Sequence, residues 1–148
     1  MELSCKSEYA LLALLELVDH YASGEPLQIR QISAQQNIPD RYLEQLLATL
    51  RRAGIVRSQR GAKGGYLLAR EPGDITLLDV VSCLEGFDAK SATADVPPNS
   101  DQTLGGTVIG ELWEEACQAA NAVLKGCSLK DLRDRRDARK QLDFMYYI

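Results

Sequence analysis

The sequence predicts a mostly α-helical fold with one small β-hairpin, in which a helix-helix-helix-hairpin unit is followed by a long helix suited to pairing. Three observations carry this. Apolar residues recur at helical spacing over 3–22, 41–54, 76–86 and 107–125. Two short apolar-rich runs, "IVRSQ" and "YLLAR", flank "RGAKGG", the pattern of a hairpin with a longer glycine-containing loop. A polar stretch without periodicity over 87–106, with Pro97-Pro98 and Gly105-Gly106, separates the last two helical segments from the rest. The expected division is therefore a first unit over 1–86, a flexible loop over 87–106, and a dimerisation helix with a C-terminal helix and tail over 107–148. A chain of 148 residues suits this plan of one domain with a helical appendage.

Taken in order, residues 3–22 place Ala10, Leu11, Leu14, Leu15, Val18 and Tyr21 on one face, and Gly24 and Pro26 end the helix. A shorter helix over about 28–36 turns Ile29, Ile32 and Ser33 inward before "NIPD" breaks it, and Asp40 sits where an N-cap belongs. The third helix, "RYLEQLLATLRRAG", has Tyr42, Leu43, Leu46, Leu47 and Leu50 on its apolar face. Arg41, Gln45, Ala48 and Arg52 form a stripe on the other, and Gly54 stops it. After the hairpin, Thr76 caps a helix carrying Leu77, Val80, Val81 and Leu84. The long helix over 107–125 bears a broad apolar stripe that includes Val108, Leu112, Ala116, Ala119 and Val123, whose alanines allow a partner helix to approach closely. Ser128 with Asp131 resembles a capping box, with Asp in place of the usual Glu, opening the charged helix "SLKDLRDRRDARKQLD".

Composition narrows the function classes. Hydrophobic residues make up 45% and charged residues 26%, as in ordinary soluble proteins. The longest apolar stretch, near Tyr9 to Val18, is broken by Glu16 and Asp19, so neither a membrane span nor a secretory signal is expected, and the chain is expected in the cytoplasm. Cys5, Cys83, Cys117 and Cys127 form no CxxC pair, which points to reduced thiols. The net charge of −4 is unevenly placed: residues 1–70 hold nine Lys/Arg against seven Asp/Glu, and 71–148 hold eight against fourteen. Within 51–66, Arg51, Arg52, Arg57, Arg60 and Lys63 face no acidic residue, and phosphate binding responds to such local clusters rather than to net charge.

The basic hairpin loop fails both nucleotide-binding patterns. A P-loop needs G-x-x-x-x-G-K-[ST], but Gly64-Gly65 is followed by Tyr66 and Leu67, and a dinucleotide fingerprint leads into a helix where "GAKGGYLLAR" leads into a strand. No paired carboxylates, nucleophile with base, or metal-spaced ligand set is recognisable, so no enzyme is expected. A bare hairpin with solvated charges is the plain alternative. The preceding three-helix unit favours a winged helix-turn-helix, in which the third helix enters the major groove and the hairpin lays amides and basic side chains along the flanking backbone or minor groove.

The blocks "KSEYALLALLELV", "IPDRYLEQLLATLRRAGIVRSQRGAKGGYLLAR" and "ITLLDVVSCLEG" resemble the winged-helix bacterial transcription regulators that include IscR, NsrR and CymR, nearly end to end. The resemblance implies a homodimeric, DNA-binding regulator, usually a repressor on a palindromic operator, with the long helix pairing across subunits. By position it puts Asp40, Arg41 and Glu44 at or near base edges and Arg60 in the minor groove. Arg41 can donate to guanine and Glu44 can accept from cytosine N4. Gln45 lies on the same polar stripe, and Lys6, Tyr42, Arg52, Arg57 and Lys63 are phosphate candidates whose joint effect is salt-sensitive.

Cluster-bearing members of that family carry three closely spaced cysteines in the loop before the dimer helix. Here "FDAKSATADVPPNSDQTLGG" has no Cys and no His, so no cofactor is expected and the look is that of the cluster-free CymR-like branch. An alternative remains an iron–sulfur or thiol-based redox regulator using Glu8, Cys83, Cys117 or Cys127. Cys117, at helical spacing with Trp113 and Leu124, reads as a small buried residue; Cys127 is a candidate thiolate at a helix start if exposed; His20 reads as a solvated cation ending the first helix. The apolar end "FMYYI" is either an element packed on the body or a partner-docking tail. A small-molecule effector or a regulatory protein is expected as a further partner.

Overall fold

The computed structural model describes residues 3–85 and 103–146. These form α1 (Cys5–Asp19), α2 (Ile29–Gln36), α3 (Asp40–Arg52), β1 (Val56–Gln59), β2 (Gly65–Leu68), a short 3-10 turn (Pro72–Asp74), α4 (Leu77–Glu85), α5 (Leu104–Lys125) and α6 (Leu129–Tyr146). The mostly α architecture with one antiparallel hairpin agrees with the sequence prediction.

Helix α1 is shorter than the predicted 3–22. Ser4 takes the N-cap role, its side chain accepting from the Ser7 amide at 3.2 Å. At the other end α1 stops at Asp19, and Tyr21, expected on the buried face of the helix, lies beyond it and is 37% exposed. Helix α2 ends at Asn37, whose left-handed φ of 58° reverses the chain. Pro39, not Asp40, is the N-cap of α3; Asp40 is the first helical residue, where its charge still complements the helix dipole.

Leu43, Leu46, Leu47 and Leu50 of α3 enter a core shared with Ala10, Leu14 and Val18 of α1, Ile32 of α2, Val80 and Leu84 of α4, and Leu129 of α6. Burying the four α3 leucines contributes about 6–12 kcal/mol before conformational entropy is subtracted. Gly54, at φ 76°, turns the chain into β1. The strands pair in the register Val56↔Leu68, Arg57↔Leu67, Ser58↔Tyr66 and Gln59↔Gly65. The loop end of β2 also pairs with Leu27, through Leu27 N–H donating to Tyr66 O at 3.0 Å and Tyr66 N–H to Leu27 O at 2.8 Å. A Cβ on Gly65 would lie 2.4 Å from the Leu27 carbonyl oxygen, so the close approach requires glycine.

Two reciprocal caps start α4 and α6. The Thr76 and Asp79 side chains each accept from the other's amide at 3.1 Å, and Ser128 and Asp131 do the same at 3.1 and 3.0 Å. The chain on either side of these caps is joined by Leu77 N–H to Cys127 O and Leu129 N–H to Ile75 O, both 2.9 Å. Helix α6 then runs back along α1, where the Arg136 guanidinium grips both oxygens of Asp19 at 2.7 and 3.0 Å. That pairing raises the Arg136 pKa. Most of "FMYYI" is the last turn of α6, with Phe144, Met145 and Tyr146 exposed. Of the predicted loop over 87–106, residues up to 102 lie outside the described residues, and Leu104–Gly106 already belong to α5, which Thr103 caps by accepting from the Gly106 amide at 3.0 Å.

Candidate nucleic-acid interface

Packing its leucines inward leaves α3 with a polar face outward. Asp40, Arg41, Glu44, Gln45 and Arg52 are exposed on it. Tyr42 is half-buried, its ring meeting Tyr9 of α1 edge-on with centroids 5.7 Å apart and planes at 83°. This stack fixes α1 against α3, so Lys6 on the first turn of α1 reaches the same surface. Lys6, Tyr42, Gln45, Thr49 and Arg52 line a shallow concavity of about 420 Å³.

Two contacts order this face, one through Thr49, which sequence reasoning passed over, and one through Arg51 of the basic cluster. Thr49 Oγ1 donates to the Gln45 carbonyl at 3.1 Å and accepts from Arg52 Nη2 at 3.2 Å, holding the Arg52 side chain along the helix. Arg51 Nη1 donates to Ser58 Oγ of β1 at 3.4 Å, joining the end of α3 to the hairpin. The i+4 and i−3 spacing of Thr49 from Gln45 and Arg52 is the signal that could have found the first; the second needed the hairpin's placement. Arg57 is exposed on β1, and Arg60 and Lys63 are exposed in the hairpin loop. Thus Lys6, Tyr42, Gln45 and Arg52 share one concavity, Asp40, Arg41 and Glu44 stand on the early turns of the same helix, and the remaining basic residues sit on the wing.

Helix α5 contains no buried residue. Val108, Ile109, Leu112, Trp113 and Val123 are 56 to 72% exposed, and Ala116 and Ala119 are exposed between them. Cys117, expected to be buried, is only half-buried within the single chain.

The other potential ligands do not converge. Cys5 and Glu8 are exposed on α1. Cys83 is half-buried on α4, its Sγ donating to the Val80 carbonyl at 3.3 Å; burial pushes its pKa up, while nearby Lys6 acts in the opposite sense. Cys127 is buried, so the exposure considered at that helix start is absent. His20 is half-buried with its Nδ1 3.0 Å from the Glu16 carbonyl, so its ring is only partly solvated. Among the described residues no group of three or more His, Cys, Asp and Glu side chains could hold a metal ion, and no helix is long and apolar enough to cross a membrane.

A third helix with an outward polar and basic face, followed by an antiparallel hairpin with a basic loop, defines the winged helix-turn-helix class of transcription regulators. The family model Rrf2, described as an iron-dependent transcriptional regulator, matches residues 3–135, and the chain belongs to this family. It is 35% identical to the HTH-type transcriptional regulator CymR of Bacillus subtilis over the full length of both chains. Its fold is similar to the solved structure of B. subtilis CymR, the global cysteine regulator, with a TM-score of 0.74 and 32% identity over 91% of this chain and 98% of that one. The structure of T. potens IscR gives 0.72 and 33% over 93% and 90%. The family description names iron, but the dispersed thiols, one of them buried and one with its pKa raised by burial, do not fit an iron or iron–sulfur centre within one chain.

Proposed function

We propose that the chain is a homodimeric, sequence-specific DNA-binding repressor of the cytoplasm, without enzymatic activity, acting on a palindromic operator. The observation that carries this is the exposed face of α3, where Arg41, Glu44 and Gln45 stand clear of the core on a helix braced by Tyr9–Tyr42 and tied to the wing by Arg51–Ser58. In this reading α3 lies in the major groove. Arg41 donates to guanine O6 and N7, Glu44 accepts from cytosine N4, and Asp40 borders the same bases. Arg60 enters the minor groove, while Lys6, Tyr42, Arg52, Arg57 and Lys63 hold phosphates. The bare apolar face of α5, centred on Val108, Leu112, Ala116, Ala119 and Val123, pairs with a second copy and sets two reading heads about one helical turn apart, near 34 Å. A small-molecule effector or a regulatory protein would shift this equilibrium.

The test is selection of bound duplex from a random pool, followed by titration of Arg41→Ala and Arg60→Ala. Each contact occurs twice in the dimer, so each substitution should cost about 2–6 kcal/mol, roughly 30-fold or more in affinity. Dimerisation should be unchanged. Affinity equal to that of the parent protein for both variants would remove the site assignment.

A further inference from the structure

Lys6 is the one candidate phosphate contact that lies on neither α3 nor the wing, and it sits on the first turn of α1. That turn is an unfavourable place for a cation, because the helix dipole already leaves its N-terminus partly positive. What holds it there comes from the far end of the core. The Glu85 carboxylate, at the end of α4, accepts from Ser7 Oγ at 2.9 Å and from Ser4 Oγ through the same oxygen. Ser4 Oγ in turn accepts from the Ser7 amide at 3.2 Å, so one carboxylate closes a small network over the start of the helix. Ser7 is fully buried, so its hydroxyl depends on Glu85 for a partner. The negative charge of Glu85 also offsets the partial positive end of α1 that Lys6 aggravates. On its other side the helix is pinned to α3 by Tyr9 against Tyr42.

We propose that Glu85, with Ser4 and Ser7, is a positioning residue for DNA binding: it fixes the first turn of α1 so that Lys6 stands over the α3 concavity beside Gln45, Thr49 and Arg52. Glu85 touches no DNA in this scheme and acts only through Lys6. The inference rests on the DNA-binding reading above, and its test separates the two.

The experiment uses the full chain and duplex selected from a random pool, with affinity measured from about 50 to 200 mM salt, where one phosphate contact changes the log–log slope by about 0.9. Lys6→Ala removes one such contact from each protomer of the dimer and should lower the slope by about 1.8. Glu85→Ala should lower it similarly and weaken binding several-fold, and the double variant Lys6→Ala with Glu85→Ala should bind no worse than Lys6→Ala alone. Glu85→Gln keeps a carbonyl acceptor and should restore most of the parent slope, whereas Glu85→Leu, of similar bulk but without an acceptor, should not. Ser4→Ala with Ser7→Ala removes the donors instead and should reproduce Glu85→Ala; it decides the matter if Glu85→Ala fails to fold by circular dichroism. Folded Glu85→Ala, or the double-serine variant, with parent slope and affinity overturns the proposal, as do additive effects of Lys6→Ala and Glu85→Ala. If Arg41→Ala weakens binding in the same series, only the positioning role has failed; if it too binds as the parent does, the DNA-binding reading has failed with it.

Discussion

Leu112→Ala tests the α5 pairing most directly. Leu112 is 65% exposed in the single chain, amid Val108 at 56%, Ile109 at 70%, Trp113 at 58% and Val123 at 72%. Burying a whole leucine side chain contributes about 1.5–3 kcal/mol, so covering the open two-thirds contributes about 1–2. In a two-fold dimer every position occurs twice, and the substitution should remove about 2–4 kcal/mol, roughly 30- to 1,000-fold in the dimer dissociation constant. Alanine is a better helix former than leucine and no α5 residue belongs to the core, so the helix itself should persist. Sedimentation equilibrium over a wide concentration range reads the constant, and far-UV circular dichroism checks the fold. Glu114→Ala, on the opposite side of α5, is the control and should leave the constant within about twofold. A parent chain that stays monomeric near 100 μM, or a Leu112→Ala dimer as tight as the parent's, would refute the reasoning, because the exposed face would then be covered by nothing or by something else.

Three other outcomes follow from the geometry. Gly65→Ala drives a Cβ to 2.4 Å from the Leu27 carbonyl and should cost about 1–3 kcal/mol in urea unfolding; a loss below about 0.5 would show that the wing is free to shift against Leu27. Asp131 has its pKa lowered below the usual 3.8, first by the Ser128 backbone amide and then by the Ser128 hydroxyl. A depressed folded value means its contribution is present above the unfolded pKa and fades as pH falls through the folded one, so Asp131→Asn should lower stability at neutral pH and flatten the acid limb of a stability–pH curve; an unaltered limb would contradict this. Alkylation at pH 8, mapped by mass spectrometry, should modify exposed Cys5 first, half-buried Cys83 more slowly because burial raises its pKa, and buried Cys127 last, whereas equal rates would argue against the packing around α4 and α6.

Periodicity made α1, α3 and α4 legible because each buries one stripe: Leu43, Leu46, Leu47 and Leu50 are all in the core, as their spacing required. Capping chemistry was equally local: Thr76 caps α4, and the Ser128–Asp131 pair forms as read. What sequence could not yield was tertiary. Tyr21 fits the α1 stripe by count, yet it lies beyond the helix end at Asp19 and is 37% exposed. Cys127 is covered by its surroundings and His20 partly so. Leu129 opens a helix that looked like an appendage but is fully buried among residues of α1 to α4. At the candidate interface, the polar stripe of α3 and the basic loop could be named from the sequence, whereas the Arg51–Ser58 link and the Glu85 network join residues 7 to 81 positions apart and leave no local pattern.

The two backbone bonds between Leu27 and Tyr66 have a consequence for how the reading head would spend conformational freedom. Because the wing is laced to the segment before α2 at Tyr66, beside its tip, its amides at 66 and 67 should exchange hydrogen only when the core opens, in one cooperative unit with α1 and α3. Only residues 60–64 lie outside the ladder. Ordering a five-residue tip costs at most about 5–10 kcal/mol, and the lower the residual freedom of Arg60 and Lys63, the less of that falls on association. Stiffening the tip would therefore slow dissociation from every sequence alike, while the choice among sequences would stay with the helix that the lacing holds still.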